Sequence, residues 1–389
     1  MNAYLDNAAT APLRPRALAT YVEHLKLVGN PSAIHSAGQL VRRAVEEARE
    51  DIAEVVNANR NEVIFTSGGT ESDNLAVKGL YWQRNKEDAR KKVIISSAAE
   101  HHAVIDPIEW LVKNQGAEVM WVKHDHRGVI DLEHLKQVLA ERGDEVALVS
   151  LMWANNEIGV INPILEIVEL AKPHGIPVHS DAVAALGHTP VDFSKSGLSA
   201  MSITAHKLGG PVGVGALIVS RAAKLVSLIH GGGQERGFRS GTLAAAAAKA
   251  FAVAAKEAVS EVDAEITRLS ALRDRLVSGV KNSVPAAKFT REDAPGLANN
   301  AHFTFPGCHG DSILFLLDQA GVQVSTGAAC QAGVSGASHV LIAIGRDTAE
   351  ATGPIRITFG QESTDADVDA FLEAIPEAYA AAKKAGLPT

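Results

Sequence analysis

Short apolar segments alternate with amphipathic segments through the first half of this 389-residue chain. The apolar segments have the length of buried strands and lie at residues 62–66, 93–96, 117–122, 146–151 and 177–180. Between them, apolar residues recur at helical spacing, and we expect helices through residue 80 and at 102–113, 131–141 and 164–174. Because strands and helices that alternate over short connections form parallel sheets, we expect a mostly parallel sheet with helices on both faces.

Polar residues follow several of these predicted strands. They are Thr70, Glu100, His101, Asn155, Asn156, Asp181 and Lys207. The segment 67–71 also places a glycine turn between a strand and a helix, an arrangement that offers backbone N–H groups to a phosphate. Since ligands bind beyond the carboxyl ends of the strands in such sheets, these side chains predict a single site at that edge.

Lys207 lies in a glycine-rich turn between the apolar stretches 198–203 and 214–219. The glycines let backbone approach a ligand closely, and desolvation there would lower the pKa of the amine, as a lysine that forms a Schiff base requires. The alternative is a Gly-Pro loop between two strands with a solvated lysine at its edge. The stretch alone favours this alternative, and only the neighbouring polar residues favour the functional interpretation.

Composition excludes several classes of protein. The net charge of −8 gives no support to nucleic-acid binding, which usually needs a basic face. No signal peptide is visible at the N-terminus, and Lys249 and Lys256 interrupt the alanine-rich stretch 243–259, so we expect no membrane partner and a cytoplasmic location.

The cysteines, Cys308 and Cys330, have neither a disulfide framework nor a metal-ligand spacing, and each is a packing residue or a reactive thiol.

The pattern of apolar residues changes after the alanine-rich helix. A helix at 261–280, a strand at 301–305, a helix at 311–320 and short apolar segments at 322–325 and 355–358 predict a smaller α/β domain, with Cys330 in a glycine-rich loop. We expect a large domain at 14–258 and a small domain formed by 1–13 and 259–389.

Nine short motifs, in this order and spacing, resemble the cysteine desulfurases of the NifS/IscS type, within the class V aminotransferase family of pyridoxal-phosphate enzymes. The motifs are LDNAAT (5–10), FTSGGTESDNL (65–75), EHHAVID (100–106), NNEIG (155–159), HSDA (179–182), HK (206–207), GGGQER (231–236), RSGT (239–242) and STGAAC (325–330). The resemblance implies the fold of type I pyridoxal-phosphate transferases, with a mostly parallel seven-stranded sheet in the large domain and a smaller α/β C-terminal domain.

The resemblance also implies an activity and partners. The enzyme would convert L-cysteine to L-alanine and carry the sulfur as a persulfide on Cys330, for iron–sulfur cluster assembly or another sulfur-transfer pathway. A sulfur-acceptor protein, such as an iron–sulfur scaffold, would then take the sulfur. Thr242 matches the residue that reaches the cofactor phosphate from the partner subunit, which implies a homodimer.

The cofactor roles carry over to matching residues. Lys207 would hold pyridoxal phosphate and take the substrate Cα proton, and Asp181 would pair with the pyridinium nitrogen. The remaining phosphate-binding residues would be Gly69, Thr70, Thr204 and His206.

The resemblance assigns the other site residues as well. His101 would stack on the ring and assist proton transfer, Asn156 would orient cofactor and substrate, and Arg356 would grip the substrate carboxylate. Cys330 would be the nucleophile, whereas Cys308 is expected to be structural. The alternative for Arg356 is a surface strand arginine.

Two substitutions depart from the family pattern. Ala184 stands where the family usually has a glutamine bonded to the cofactor's phenolic oxygen, and Ala328 stands where a serine is common. A selenocysteine lyase or another class V pyridoxal-phosphate enzyme is an alternative, although Cys330 argues against it. A weakly active binding subunit of a sulfur-transfer complex is a third, favoured only by Ala184.

Overall fold

A seven-stranded sheet is the central element of the part of the chain that the computed structural model describes, residues 2–327 and 336–385. The strands are β1 Ala3–Tyr4, β2 Val63–Thr66, β3 Val93–Ser96, β4 Glu118–Trp121, β5 Val146–Ser150, β6 Val178–Asp181, β7 Ala200–Thr204, β8 Gly215–Val219, β9 Lys288–Phe289, β10 Asn300–Thr304, β11 Val322–Gln323 and β12 Pro354–Thr358. The sheet order is β2-β8-β7-β6-β5-β3-β4, and the neighbours from β7 to β4 are parallel. This confirms the predicted mostly parallel, seven-stranded sheet.

The exception is β8, which pairs antiparallel with both β7 and β2. Only residues 205–214 join β7 to β8, which is too short for the crossover that a parallel pair needs. The turn that contains Lys207 is therefore a reversal at the carboxyl end of β7.

Helices cover both faces of this sheet. They are α1 Pro15–Leu25, α2 Ser36–Val55, α3 Gly69–Glu87, α4 His102–Gln115, α5 Leu132–Arg142, α6 Ile164–Ala171, α7 Phe193–Ser196, α8 Ala245–Ser260, α9 Val262–Ser283, α10 Gly310–Gln319, α11 His339–Ala343, α12 Thr348–Ala351 and α13 Asp365–Ala385. On one face α2, α5, α6 and α8 pack on the sheet, and on the other face α3 and α4 do. The alanine-rich segment forms α8, whose small side chains pack against α1 and α2.

A second hydrophobic core lies outside the large sheet. It joins Ala3 and Leu5 to apolar residues between Leu269 and Ala382, around the antiparallel sheet β12-β10-β9. The N-terminal strand β1 pairs with β11, so the first residues pack with the C-terminal part of the chain. The domain limits at 13/14 and 258/259 stay a prediction.

Most predicted elements lie within a few residues of their observed ends. The helix expected at 164–174 ends at Ala171 and continues as a 3₁₀ turn, Lys172–His174, which contains Pro173. Among the described residues, no helix is long and apolar enough to cross a membrane, and no group of His, Cys, Asp and Glu side chains is arranged to hold a metal ion.

Candidate active site

A cavity of about 350 Å³ lies at the carboxyl edge of the large sheet. Its lining includes most of the residues that the sequence singled out: Gly69, Thr70, His101, Asn156, Asp181, Thr204, His206, Lys207 and Arg356. We call the part formed by the sheet the sheet wall (Gly69, Thr70, Asp181, Thr204, His206 and Lys207) and the part facing it the Arg356 wall (Asp6, Ser325, Gly327 and Arg356). Residues distant in sequence thus meet in one place.

A larger cleft of about 510 Å³ lies at the opposite edge of the sheet. It is bordered by residues near the beginnings of β6 and β7, and its charged lining residues, such as Arg84, Lys172 and Glu169, are of mixed sign. The predicted site residues are not part of its lining. Since ligands of open α/β sheets bind at the carboxyl edge, the smaller cavity is the candidate site.

One end of the sheet wall is the first turn of α3. The helix begins at Gly69, and the backbone amides of its first turn have no acceptor within the helix. A Cβ atom at Gly69 would lie only 2.8 Å from Cγ2 of Val183, so this position has no room for a side chain. Ion pairing of Glu71 with Arg239, at 2.8 Å, ties this turn to the segment that carries Thr242. A helix N-terminus at the cavity favours an anion such as a phosphate.

Asp181 lies at the end of β6, and the residue is 6% exposed. Its Oδ1 atom accepts a hydrogen bond from the Val183 amide at 2.8 Å. Burial raises the pKa of the Asp181 carboxyl, while the Val183 amide and the Lys207 ammonium act in the opposite direction. A buried carboxylate is retained when a cationic or N–H group pairs with it, which a protonated pyridine nitrogen provides.

His101 caps the N-terminus of α4. Its Nδ1 atom accepts a hydrogen bond from the Ala103 amide at 3.1 Å, which assigns the proton of the neutral ring to Nε2. Burial first, and then the charges of Lys207, His102 and His339, lower the pKa of His101 to about 4. The imidazole is therefore neutral at neutral pH, and His101 lines the cavity in this form.

The Arg356 guanidinium is buried, with 5% of the residue exposed. Nη2 donates to Oδ1 of Asp6 at 2.7 Å, and Nη1 donates to the carbonyl oxygen of Asn156 at 3.0 Å. Its Nε atom has no hydrogen-bond partner within residues 2–327 and 336–385. The interpretation of Arg356 as a surface strand arginine is wrong, because β12 is buried along its whole length.

One predicted site residue among the described ones, Thr242, is exposed and does not line the cavity. Cys330 lies outside the described residues, as does Ala328. Cys308 is 1% exposed in the second core, where its Sγ lies 3.9 Å from the carbonyl oxygen of Tyr379, and burial raises the pKa of its thiol. This environment agrees with the structural interpretation of Cys308.

Asp6 and Asp73 line the cavity although the sequence analysis did not select them. Burial, and then the charge of Asp181, raise the pKa of the Asp73 carboxyl well above its ordinary value. A signal was present, since Asp73 lies four positions after Gly69 on the same face of α3. Ala184 also lines the cavity, so the position that departs from the family pattern faces the site.

The donor set fits pyridoxal phosphate. A helix N-terminus and hydroxyl groups suit the phosphate, a lysine suits the aldehyde, and the buried Asp181 carboxyl suits the ring nitrogen. A cavity of about 350 Å³ is also within the range of small-molecule sites, roughly 300–1,000 Å³.

A model of the aminotransferase class-V family matches residues 3–371. The chain belongs to the class V aminotransferase family. This confirms the resemblance found in the sequence, and the family's α/β fold with it. Within this family, an IscS-like cysteine desulfurase from Mycobacterium tuberculosis is 50% identical over 386 residues, covering 99% of this chain and 98% of the relative.

Solved structures superpose on most of the chain. A NifS-like protein has a TM-score of 0.89 at 35% identity, with 97% of this chain and 99% of that chain covered. A structure of SspA in complex with cysteine has a TM-score of 0.79 at 31% identity, with 92% and 99% covered.

Proposed function

We propose that this protein is a pyridoxal-phosphate-dependent cysteine desulfurase. The observation that carries the proposal is the convergence of Lys207, Asp181 and the N-terminus of α3 on one cavity, opposite the buried Arg356. Relatives named cysteine desulfurase match nearly the full length of the chain, which supports the same activity here.

The proposed reaction balances without an external oxidant. L-Cysteine and the Cys330 thiol give L-alanine and a Cys330 persulfide. The substrate C–S bond breaks, and an S–S bond forms to the Cys330 sulfur. The thiol proton and the solvent supply the hydrogen that the product carbon gains. Pyridoxal phosphate, when bound, supplies an electron sink for charge at the substrate Cα.

The sheet wall would hold the cofactor and move protons. We assign Lys207 to covalent attachment and to the proton at Cα, because its amine lies on the same cavity as Asp181. Asp181 would keep a proton on the ring nitrogen. Gly69, Thr70, Thr204 and His206 would bind the phosphate, and neutral His101 would stack on the ring and pass a proton.

The Arg356 wall would bind the substrate carboxylate. The Asp6 and Asn156 contacts fix the plane of the guanidinium, so less conformational freedom is lost when a carboxylate binds in bidentate geometry. Asn156 also lines the cavity and would orient cofactor and substrate.

We further propose that the protein is a homodimer. Leu18, Val22 and Leu25 form an exposed apolar stripe on α1, and Val28 and Ile34 beside it are 85% and 90% exposed. Such a patch is unusual on a monomer. Covering it with a second copy agrees with Thr242, which is exposed and would reach the partner's phosphate site.

Sedimentation tests the homodimer. Val22→Asp should shift the protein toward monomer and weaken cofactor retention. Leu165→Asp, at a residue that is 54% exposed on α6, should change neither. A wild-type protein that sediments as a monomer at every concentration would rule the dimer out.

The sulfur-acceptor protein, an iron–sulfur scaffold for example, and a cytoplasmic location stay predictions.

The activity is tested with purified protein loaded with pyridoxal phosphate. Cysteine and a thiol reductant should yield alanine and sulfide in equal amounts, and Cys330→Ala should stop both while the visible absorption of the cofactor persists. Wild-type protein that binds the cofactor but produces no alanine supports a binding subunit instead. If Cys330→Ala still cleaves selenocysteine at the wild-type rate, a lyase is the better description.

A further inference from the structure

Glu157 links the cavity wall to both ends of the segment that carries Cys330. The residue follows Asn156, which lines the cavity, and its side chain is only 1% exposed. Its Oε1 atom accepts a hydrogen bond from the Ser338 hydroxyl, and its Cγ and Cδ atoms pack against Gly327. Gly327 and Ser338 lie on either side of Cys330, so one carboxylate contacts both flanks of the predicted nucleophile.

The contact at Gly327 leaves no free space. A Cβ atom there would lie 2.5 Å from Cγ and 2.7 Å from Cδ of Glu157, and Gly327 has a φ of +74°. The Gly327 amide donates to Oγ of Ser325. The backbone of Ser325 pairs with the backbone of Arg356 through two hydrogen bonds. The first flank is thus fixed between Glu157 and the Arg356 wall.

The second flank is equally constrained. Ser338 caps α11, because its Oγ also accepts from the Leu341 amide at 3.1 Å, and its own amide donates to the Ala351 carbonyl. Ser338 is fully buried. Its hydroxyl donates its single proton to Glu157, so removal of the carboxylate would leave a buried donor unpaired.

Other contacts hold Glu157 itself in place. The backbone amide donates to Oδ1 of Asn155 at 2.9 Å, and the backbone carbonyl accepts from Nδ2 of Asn300 at 3.0 Å. Nε2 of His302, a buried residue of β10, lies 3.6 Å from Oε1. The backbone of Glu157 is therefore held by Asn155 and by Asn300 of β10, and its carboxylate lies beside His302 of the second core.

We propose that Glu157 is a positioning residue for sulfur transfer, which fixes the two flanks of the Cys330 segment relative to the substrate. The inference rests on the proposed function. It assigns Glu157 to the attack of the thiol and not to cofactor or substrate binding, because the carboxylate contacts the flanks and is not part of the cavity lining.

Single-turnover experiments on the loaded enzyme separate the two steps. The change in cofactor absorption after cysteine is added reports binding, and mass spectrometry of Cys330 reports persulfide formation. For Glu157→Ala, we expect the first step and KM within about twofold of wild type. Persulfide formation and kcat should fall roughly 10- to 100-fold, since a misplacement of about 1 Å has costs of that size. Glu157→Gln keeps the acceptor oxygen for Ser338 and should lose less.

Two further variants keep the test decisive. Ile344→Ala removes packing beside α11 without touching Glu157, and should lower Tm while leaving the persulfide rate unchanged. Ser338→Ala removes only the hydroxyl and serves if Glu157→Ala does not fold; it should slow persulfide formation selectively. The inference is overturned if the Glu157 and Ser338 variants form persulfide at the wild-type rate. It is also overturned if cysteine binding and persulfide formation slow by the same factor in these variants and in Ile344→Ala. A wild-type enzyme without persulfide would instead overturn the proposed function.

Discussion

The two walls of the cavity are built in different ways. The sheet wall comes from the ends of the parallel neighbours β6 and β7, from the turn between β7 and β8 and from the first turn of α3. The Arg356 wall joins the N-terminal segment to β12 across the second core, through the contact between Asp6 and Arg356. The first wall is suited to hold a cofactor rigidly. Under the proposed function, the second would bring the substrate-binding Arg356 and the flanks of Cys330 to that cofactor.

Loss of the Lys207 amine should have the largest effect, because the proposed function assigns the proton at Cα to this residue. We expect Lys207→Ala to lower alanine formation by about 10²–10⁴-fold, the usual contribution of a general base. Borohydride should no longer fix the cofactor to the protein. Alanine assays and absorption spectra measure both. Lys195→Ala, at a lysine whose side chain is 81% exposed, is the control and should be silent.

A change in the Arg356 wall should act on substrate affinity and leave cofactor binding intact. Arg356→Lys keeps the charge but loses the bidentate fork, at a cost of about 1.5–3 kcal/mol or roughly 10- to 150-fold in KM. Steady-state kinetics measure the change, and the cofactor spectrum should stay as in wild type. An unchanged KM would mean that the carboxylate binds elsewhere. Arg275→Lys, on the surface of α9, is the matched control.

Acid should destabilise the part of the protein that contains the sheet wall. Burial lowers the pKa of His179 to about 3 and that of His101 and His188 to about 4. The unfolded chain takes up these protons below about pH 6.5, but the folded chain does so only near pH 3–4. Stability is therefore present above pH 6.5 and is lost as the pH falls toward 4.

Tryptophan fluorescence reports this loss selectively, because the four tryptophans, at 82, 110, 121 and 153, all belong to the part of the chain that forms the large sheet. Denaturant unfolding followed by this signal should show a lower midpoint at pH 5 than at pH 7. A midpoint that rises on acidification would mean that the buried carboxyls of Asp73, Glu100 and Asp181, whose pKa values burial raises, outweigh the histidines.

Ala184→Gln should have the smallest effect. Ala184 lines the cavity, so an amide there has access to a bound ring. One added hydrogen bond is worth about 1 kcal/mol, or roughly fivefold in rate, and should shift the visible absorption maximum. Ala184→Leu adds bulk without a donor and separates the hydrogen bond from a steric effect. An equal shift in both variants would assign the change to size alone.

The sheet wall was largely predictable from the sequence, because strand ends of a parallel sheet meet at one edge whatever the side-chain details. The alternation of strands and helices, together with the motifs, was enough to assign Asp181 and Lys207 to the same site. The antiparallel β8 follows from the short connection 205–214, which has no room for a crossover helix.

The Arg356 wall was less predictable. Asp6 pairs with Arg356 across 350 positions of sequence, and no local pattern encodes such a contact. Glu157 lies within a recognised motif, yet its link to Gly327 and Ser338 depends on how the two cores meet. Contacts between the two hydrophobic cores depend on tertiary packing, which the spacing of residues in the sequence does not reveal.

Mass spectrometry of the protein after reaction with cysteine tests the central claim most directly. With loaded wild-type enzyme and no reductant, peptides that contain Cys330 should gain one sulfur atom, in proportion to the alanine formed, while peptides that contain the buried Cys308 should not. Alanine formed without sulfur on Cys330, or sulfur carried on Cys308 instead, would contradict the account.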